Sequence, residues 1–210
     1  MSQFTYQRRP IDNSTIPTVI FALLVANGLI YALSVLQPDF IYDNFALWPL
    51  SSPIGEFHIW QLLTYGFLHD LHGLGHIAFN MLALWMFGRD LERMMGGQRF
   101  LAYYLTCVAG AGIVQLIVAG TQGSFYPTVG ASGGVFGILL AFGMAFPNRM
   151  ILLLFPPIPM KAKYMVIIFG LLELYFGVSG RSPGVANFAH LGGMFFGFLL
   201  IQYWRNARKR

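Results

Sequence analysis

Charge is what this chain has least of. Asp, Glu, Lys and Arg together make up 10% of its 210 residues, while 56% are hydrophobic. A soluble domain carries about 25% charged residues, so this composition excludes an ordinary water-facing globule. Cysteine occurs once, as Cys107, which excludes an intrachain disulfide. The N-terminal region lacks a small-residue cleavage site after a short apolar core. Its first apolar block therefore reads as a retained anchor, not a removed signal peptide. A His-Glu-x-x-His motif is also missing, which removes the zinc-protease reading.

What is abundant is apolar sequence gathered in blocks, with neither strand alternation nor an amphipathic stripe, at a mean hydropathy of +0.61. This predicts an all-α polytopic membrane protein. Six spans are expected, at 16–36, 72–88, 100–120, 132–147, 163–179 and 186–204. A bilayer crossing takes about 20 residues, so the fourth span is short and its first residue, Ser132, is expected below the lipid surface. With the N-terminus inside, twelve of the thirteen Lys and Arg residues fall on the inner side and only Arg181 falls outside. That positive-inside bias predicts both termini in the cytoplasm. It also accounts for the net charge of +5 as a topology signal, so no nucleic-acid partner is expected.

The spacing predicts a polar cytoplasmic lead over 1–15, one membrane domain over 16–204 and a basic cytoplasmic tail over 205–210. The longest loop, 37–71, contains Trp48, Phe57, Trp60, Tyr65 and Phe67 and no Lys or Arg. Such aromatic content predicts a loop lying at the membrane interface, either as an ordinary anchor or in contact with a substrate. Gly88 to Gly96, with its close-set charges, reads as a structured cytoplasmic turn with internal ion pairs. Phe155-Pro156-Pro157-Ile158-Pro159 cannot continue a regular helix.

Ionisable and nucleophilic side chains inside apolar spans are costly and usually mark function. Ser132 stands in Gly130-Ala131-Ser132-Gly133-Gly134, where a turn becomes a helix, and His190 lies within the sixth span. The Gly-x-Ser-x-Gly spelling matches the elbow of soluble hydrolases, but that motif needs a strand and a parallel sheet that this chain cannot supply. Its local physics still applies: a serine at a helix start has free N–H groups nearby that can stabilise an oxyanion. The alternative is packing, because small residues let membrane helices approach. Gly133, Gly137, Ala141 and Ala145 form one such ridge, and Ala189, Gly193 and Gly197 form another. The two readings cooperate, since ridges that meet would bring Ser132 and His190 within reach of each other.

His76 and Asn80, four apart, share a helix face. They are either two further donors to an oxyanion hole or an interhelical polar contact. His69, His72 and His76 have loose spacing and no recurring acidic partner, so no metal is expected. Glu173 is the one carboxylate well inside a predicted span. It could in principle orient His190, but the sequence cannot place the two together, and it reads as structural. A proton transporter built on His190 and Glu173 is disfavoured because the other polar residues already fit a hydrolase scheme.

In combination, His76-x3-Asn80, Gly130-x-Ser132-Gly133 and Ala189-His190-x2-Gly193-x3-Gly197 resemble the rhomboid intramembrane serine proteases. Gly88-x3-Glu92-x3-Gly96 is similar to that family's loop signature. The resemblance implies a six-helix bundle in which Ser132 is the nucleophile and His190 the general base. His76, Asn80 and the Ser132 N–H would form the oxyanion hole, supported by Gly130, Gly133, Phe136, Asn187 and Gly193. It further implies a membrane-lying loop after the first span and a mobile gate formed by the fifth span and residues 178–186. The implied partners are transmembrane protein substrates and membrane lipid, with no metal or organic cofactor, in a bacterial cytoplasmic membrane. A non-proteolytic, helix-binding relative is the other reading. Two positions depart from the family pattern. Trp60-Gln61 stands where many bacterial members have Trp-Arg, which bears on loop anchoring or lipid contact. Phe136 stands where Tyr is common, keeping a ring to stack on His190 but offering no hydroxyl.

Overall fold

The computed structural model describes residues 17–153, 157–182 and 184–207. The polar lead over 1–15, the Phe155-Pro156 pair and the last three residues of the basic tail lie outside the described residues. Eight α-helices run through the rest: α1 (Thr18–Leu36), α2 (Pro38–Phe45), α3 (Gln61–Thr64), α4 (Gly75–Met95), α5 (Gly97–Gln122), α6 (Ser132–Ala145), α7 (Ala162–Ser179) and α8 (Asn187–Ala207). Helices α1, α4, α5, α6, α7 and α8 answer to the six expected spans. Three of them, α1, α5 and α7, are long and apolar enough to cross a membrane by length and composition alone. The expected polytopic helical bundle is the observed fold.

The bundle is arranged around its shortest long helix. Helix α6 buries residues all round its circumference, including Val135, Ile138, Leu139, Ala141 and Phe142. Such a helix belongs at the centre of its neighbours, not at their edge. Its 14 residues span about 21 Å, short of the roughly 30 Å of hydrocarbon in a bilayer. Helices α5, α8, α4 and α7 surround it. The outer helices keep apolar side chains exposed, among them Leu29 and Leu33 on α1 and Leu171 and Val178 on α7. Surfaces of that kind are stable only against lipid.

Two stretches depart from expectation. The charged segment after Gly88 is not a turn: α4 continues through it to Met95, and the chain turns at Gly96 with φ at 82°. Arg, Leu, Glu and Met are good helix formers, and the charges satisfy each other along the helix. Asp90 lies 4.0 Å from both Arg89 and Arg93 and pairs at 2.6 Å with Arg149 beyond α6. The loop over 37–71 is also more ordered than a loop, folding into α2, α3 and a 3-10 turn at Tyr65–Phe67. After α6 the chain forms a short antiparallel hairpin, Met150–Leu152 against Pro159–Lys161.

Glu92 joins the first two long helices. Buried in the last turn of α4, its Oε1 accepts the Val19 N–H at 2.9 Å and its Oε2 the Ile20 N–H at 2.7 Å. A carboxylate there satisfies orphan donors and faces the positive end of the α1 dipole. Replacing Glu92 by Ala should therefore destabilise the folded protein by about 1–3 kcal/mol, measured as a lower unfolding midpoint in detergent.

Candidate active site

The start of α6 is held from three sides. Residues before it return to the first loop, where Leu47 and Thr128 exchange backbone bonds of 3.0 and 2.9 Å. Two residues on, the Gly130 N–H donates to the Tyr65 carbonyl at 3.0 Å. The buried Tyr65 in turn donates its hydroxyl to the Val108 carbonyl of α5 at 2.8 Å. The aromatic loop is thus the support on which the serine turn rests. The loop itself is anchored by the fully buried Gln61. Its Oε1 accepts the Trp48 N–H at 3.2 Å, and its Nε2 donates to the Glu56 carbonyl at 3.1 Å. The residue flagged as a departure in the sequence performs the anchoring with a neutral amide.

Ser132 is the first residue of α6, and the first helical bond runs from the Val135 N–H to the Ala131 carbonyl at 3.0 Å. The N–H groups of Ser132, Gly133 and Gly134 precede that bond and are the orphan donors of the helix start. His190 approaches from the first turn of α8, its Nε2 2.7 Å from Ser132 Oγ. The approach is possible because the two glycine ridges meet as expected. A Cβ on Gly193 would run into the Gly133 carbonyl, and one on Gly137 would come within 3.2 Å of the Gly193 carbonyl. Phe136, one turn into α6, stacks on the His190 ring at 4.4 Å between centroids and 4° from parallel.

On the far side of that ring lies a group the sequence did not place. Glu173 Oε2 of α7 is 2.9 Å from His190 Nδ1, off the direction of a straight hydrogen bond, and accepts the Asn187 amide at 2.7 Å. The sequence left Glu173 unplaced relative to His190, and the packing of α7 on α8 brings the two together. The signal of Glu173 was present in the sequence as an unexplained carboxylate inside a span. What was missing was the α7 to α8 packing that aims it.

His76 enters from the start of α4. Its Nδ1 accepts the Asp70 N–H at 3.2 Å, which assigns the ring proton of the neutral form to Nε2. That nitrogen would be 2.9 Å from a Cβ built on Gly130, and Ser132 Oγ would be 3.6 Å from the same point. Glycine is required at 130 on two counts: φ is 135°, and any side chain would fill the space between His76 Nε2 and Ser132 Oγ. Asn80 is buried one turn along α4 and donates one amide hydrogen to the His76 carbonyl at 2.9 Å. Its Nδ2 carries a second hydrogen that this bond does not use.

Of His69 and His72, only His69 packs against His76. His72 faces outward and meets Asp70 Oδ1 at 2.6 Å, where the His72 backbone N–H and then its ring hold the Asp70 carboxyl below the usual range. His69 is fully buried, edge-on to His76 at 5.1 Å, and burial followed by the His76 charge pushes it down to about 4. It is neutral at physiological pH. Among the described residues no three His, Cys, Asp or Glu side chains gather as a metal-binding group.

The family model for the Rhomboid domain matches residues 56–206, well over half of the chain. The chain belongs to the rhomboid family. Among its relatives, it is 38% identical over 149 residues to the Rhomboid protease GluP of Bacillus subtilis, covering 70% of this chain and 26% of that protein. It is 32% identical over 186 residues to the Putative rhomboid protease YdcA of the same organism, covering 87% of this chain and 85% of the relative. The Rhomboid protease GlpG of Yersinia pestis is 29% identical over 182 residues, 86% of this chain and 60% of that one. The rhomboid described here thus spans about a quarter of GluP and most of YdcA.

In this rhomboid Gly130 combines a positive φ with the His76 ring and Ser132 Oγ within 4 Å of any Cβ built on it. Gly130→Ala should cut labelling of Ser132 by a serine-reactive probe by about 10²-fold or more, the usual cost of a damaged oxyanion site. Gly123→Ala serves as the control. It strains a left-handed residue with φ at 65° that has open space around it, and should label normally.

Proposed function

We propose that this rhomboid is an intramembrane serine endopeptidase that hydrolyses peptide bonds in or near transmembrane segments of other membrane proteins. The reading rests on one distance, the 2.7 Å between His190 Nε2 and Ser132 Oγ. At that separation the serine hydroxyl donates its proton to the ring as Oγ attacks a carbonyl carbon. The carbonyl oxygen, becoming an oxyanion, takes the space over Gly130. His76 Nε2–H, the free hydrogen on Asn80 Nδ2 and the Ser132 N–H are its donors. His190 then passes the proton to the leaving amine, and water releases the acyl group from Ser132 by the reverse sequence of transfers. Relatives named as rhomboid proteases support the same activity.

Lipid raises two demands on this chemistry. A substrate helix hides its carbonyls in hydrogen bonds, so it must unwind locally before Ser132 can reach one. Water must also reach the serine, which a short α6 favours by starting at Ser132, below the lipid surface at one end of the bundle. The basic residues Arg89, Arg93 and Arg205 lie toward the other ends of their helices, and Arg149 lies just beyond that end of α6. On the positive-inside rule that end faces the cytoplasm, which puts both termini inside and Ser132 toward the opposite face of a bacterial inner membrane. Lipid and single-span membrane proteins are the partners of this reading.

The test is cleavage of a panel of single-span substrates by purified protein in liposomes, with Ser132→Ala and His190→Ala alongside. The expected outcome is cutting by wild type and a loss of at least about 10⁴-fold in each variant. Wild-type protein that is folded, inactive and unlabelled by a serine probe would favour the non-proteolytic, helix-binding reading.

A further inference from the structure

A carboxylate in the middle of a membrane helix persists only where partners compensate its burial. Glu173 has its partners on α8, and α7 is shaped to bring it there. Gly170, Glu173 and Gly177 lie along one face of α7. A Cβ on Gly170 would be 3.5 Å from the Met194 methyl, and one on Gly177 would be 3.0 Å from the Phe188 ring. The two glycines let the helices close up on either side of the carboxylate. Asn187, one turn before His190 on α8, donates to Oε2 and holds that oxygen on the Nδ1 side of the imidazole, 2.9 Å away. Little of either side chain is exposed, 15% for Glu173 and 10% for His190.

Each nitrogen of His190 therefore has one defined neighbour. Ser132 occupies Nε2, Glu173 occupies Nδ1, and Phe136 covers a ring face. To take the serine proton, Nε2 must be bare and Nδ1 must carry the hydrogen. A carboxylate beside Nδ1 favours that tautomer, and it stabilises the imidazolium formed once the proton arrives.

We propose that Glu173 is the positioning residue of a Ser132–His190–Glu173 triad whose acid is supplied by α7 and held in place by Asn187. The proposal rests on the protease reading above and adds a third member to it. Its contact is off-axis, so it is weaker than the buried, aligned acid of a soluble serine protease, whose amide replacement costs about 10⁴-fold. A loss of about 10–10²-fold is expected here, the usual size for removing an orienting partner.

Glu173→Gln is the decisive variant, because its amide oxygen can still accept the Asn187 hydrogen bond while the charge is gone. Ser132 labelling and substrate cleavage are followed from pH 5 to 9 in wild type, Glu173→Gln and Glu173→Asp. The carboxylate favours the charged ring, and the base must be neutral to act. Its removal therefore moves the acid limb of the rate profile to lower pH. The other groups facing His190 stay in place. These are Ser132, the uncharged Phe136 of α6, and His76 on α4 with Asp70 behind it. Slower turnover with that shift in Glu173→Gln, and partial recovery in Glu173→Asp, support the triad. Wild-type rates with an unmoved limb overturn it and leave Glu173 as a helix-packing partner of Asn187.

Nitrogen NMR of 15N-histidine-labelled wild type provides a readout that requires neither a folded variant nor activity. A His190 ring carrying its proton mainly on Nδ1 supports the proposal, and one carrying it mainly on Nε2 overturns it. If wild type neither cleaves nor labels at Ser132, the protease reading falls, while the tautomer still decides whether Glu173 orients His190.

Discussion

The closeness of α6 and α8 at Gly133 and Gly193 is the constraint on which the site depends. No side chain fits between the Gly133 carbonyl and the Gly193 backbone. Helices with larger residues at a contact sit about 8–10 Å apart, which leaves room for side chains but holds catalytic groups away from each other. Here the backbones themselves touch, and a serine and a histidine one residue or one turn away come to 2.7 Å. In a membrane this approach is stabilised by van der Waals contact, since lipid offers no hydrophobic drive toward helix association. The packing reading and the chemical reading of these glycines describe one arrangement.

Several polar groups in the bundle follow a second rule, that of being held by a partner on another element. Glu92 caps α1 from α4, Tyr103 on α5 donates to the Gly137 carbonyl of α6, and Asn187 on α8 meets Glu173 on α7. His69 departs from it, with neither ring nitrogen bonded among the described residues. Burial keeps that ring neutral, which lets it sit against His76 without adding a second charge to the site.

Much of this was legible from residue types alone. Helices long enough to span, a serine at a helix start and a histidine on a small-residue ridge have local signatures, and α6 and α8 begin at Ser132 and Asn187. The His76–Asn80 face was legible for the same reason, since four-residue spacing is a property of one helix. The Glu173 contact was not, because it depends on how α7 rotates against α8, which the glycines on either side of Glu173 permit but do not specify. Nor was the role of Tyr65 in tying Gly130 to α5, which joins three segments far apart in sequence. The charged stretch after Gly88 was misread because charge density resembles a loop, whereas pairing with Arg149 from a distant turn lets the helix continue.

Gln61 carries a consequence for how the first loop meets its surroundings. An arginine in such a position brings a permanent charge that must be balanced by a headgroup phosphate or a carboxylate. The amide here is buried and neutral, and its bonds end on backbone groups of its own loop. The platform beneath Gly130 is therefore self-contained. Its geometry is indifferent to the charge of the surrounding lipid and to ionic strength, so the serine turn keeps its support in neutral and anionic bilayers alike.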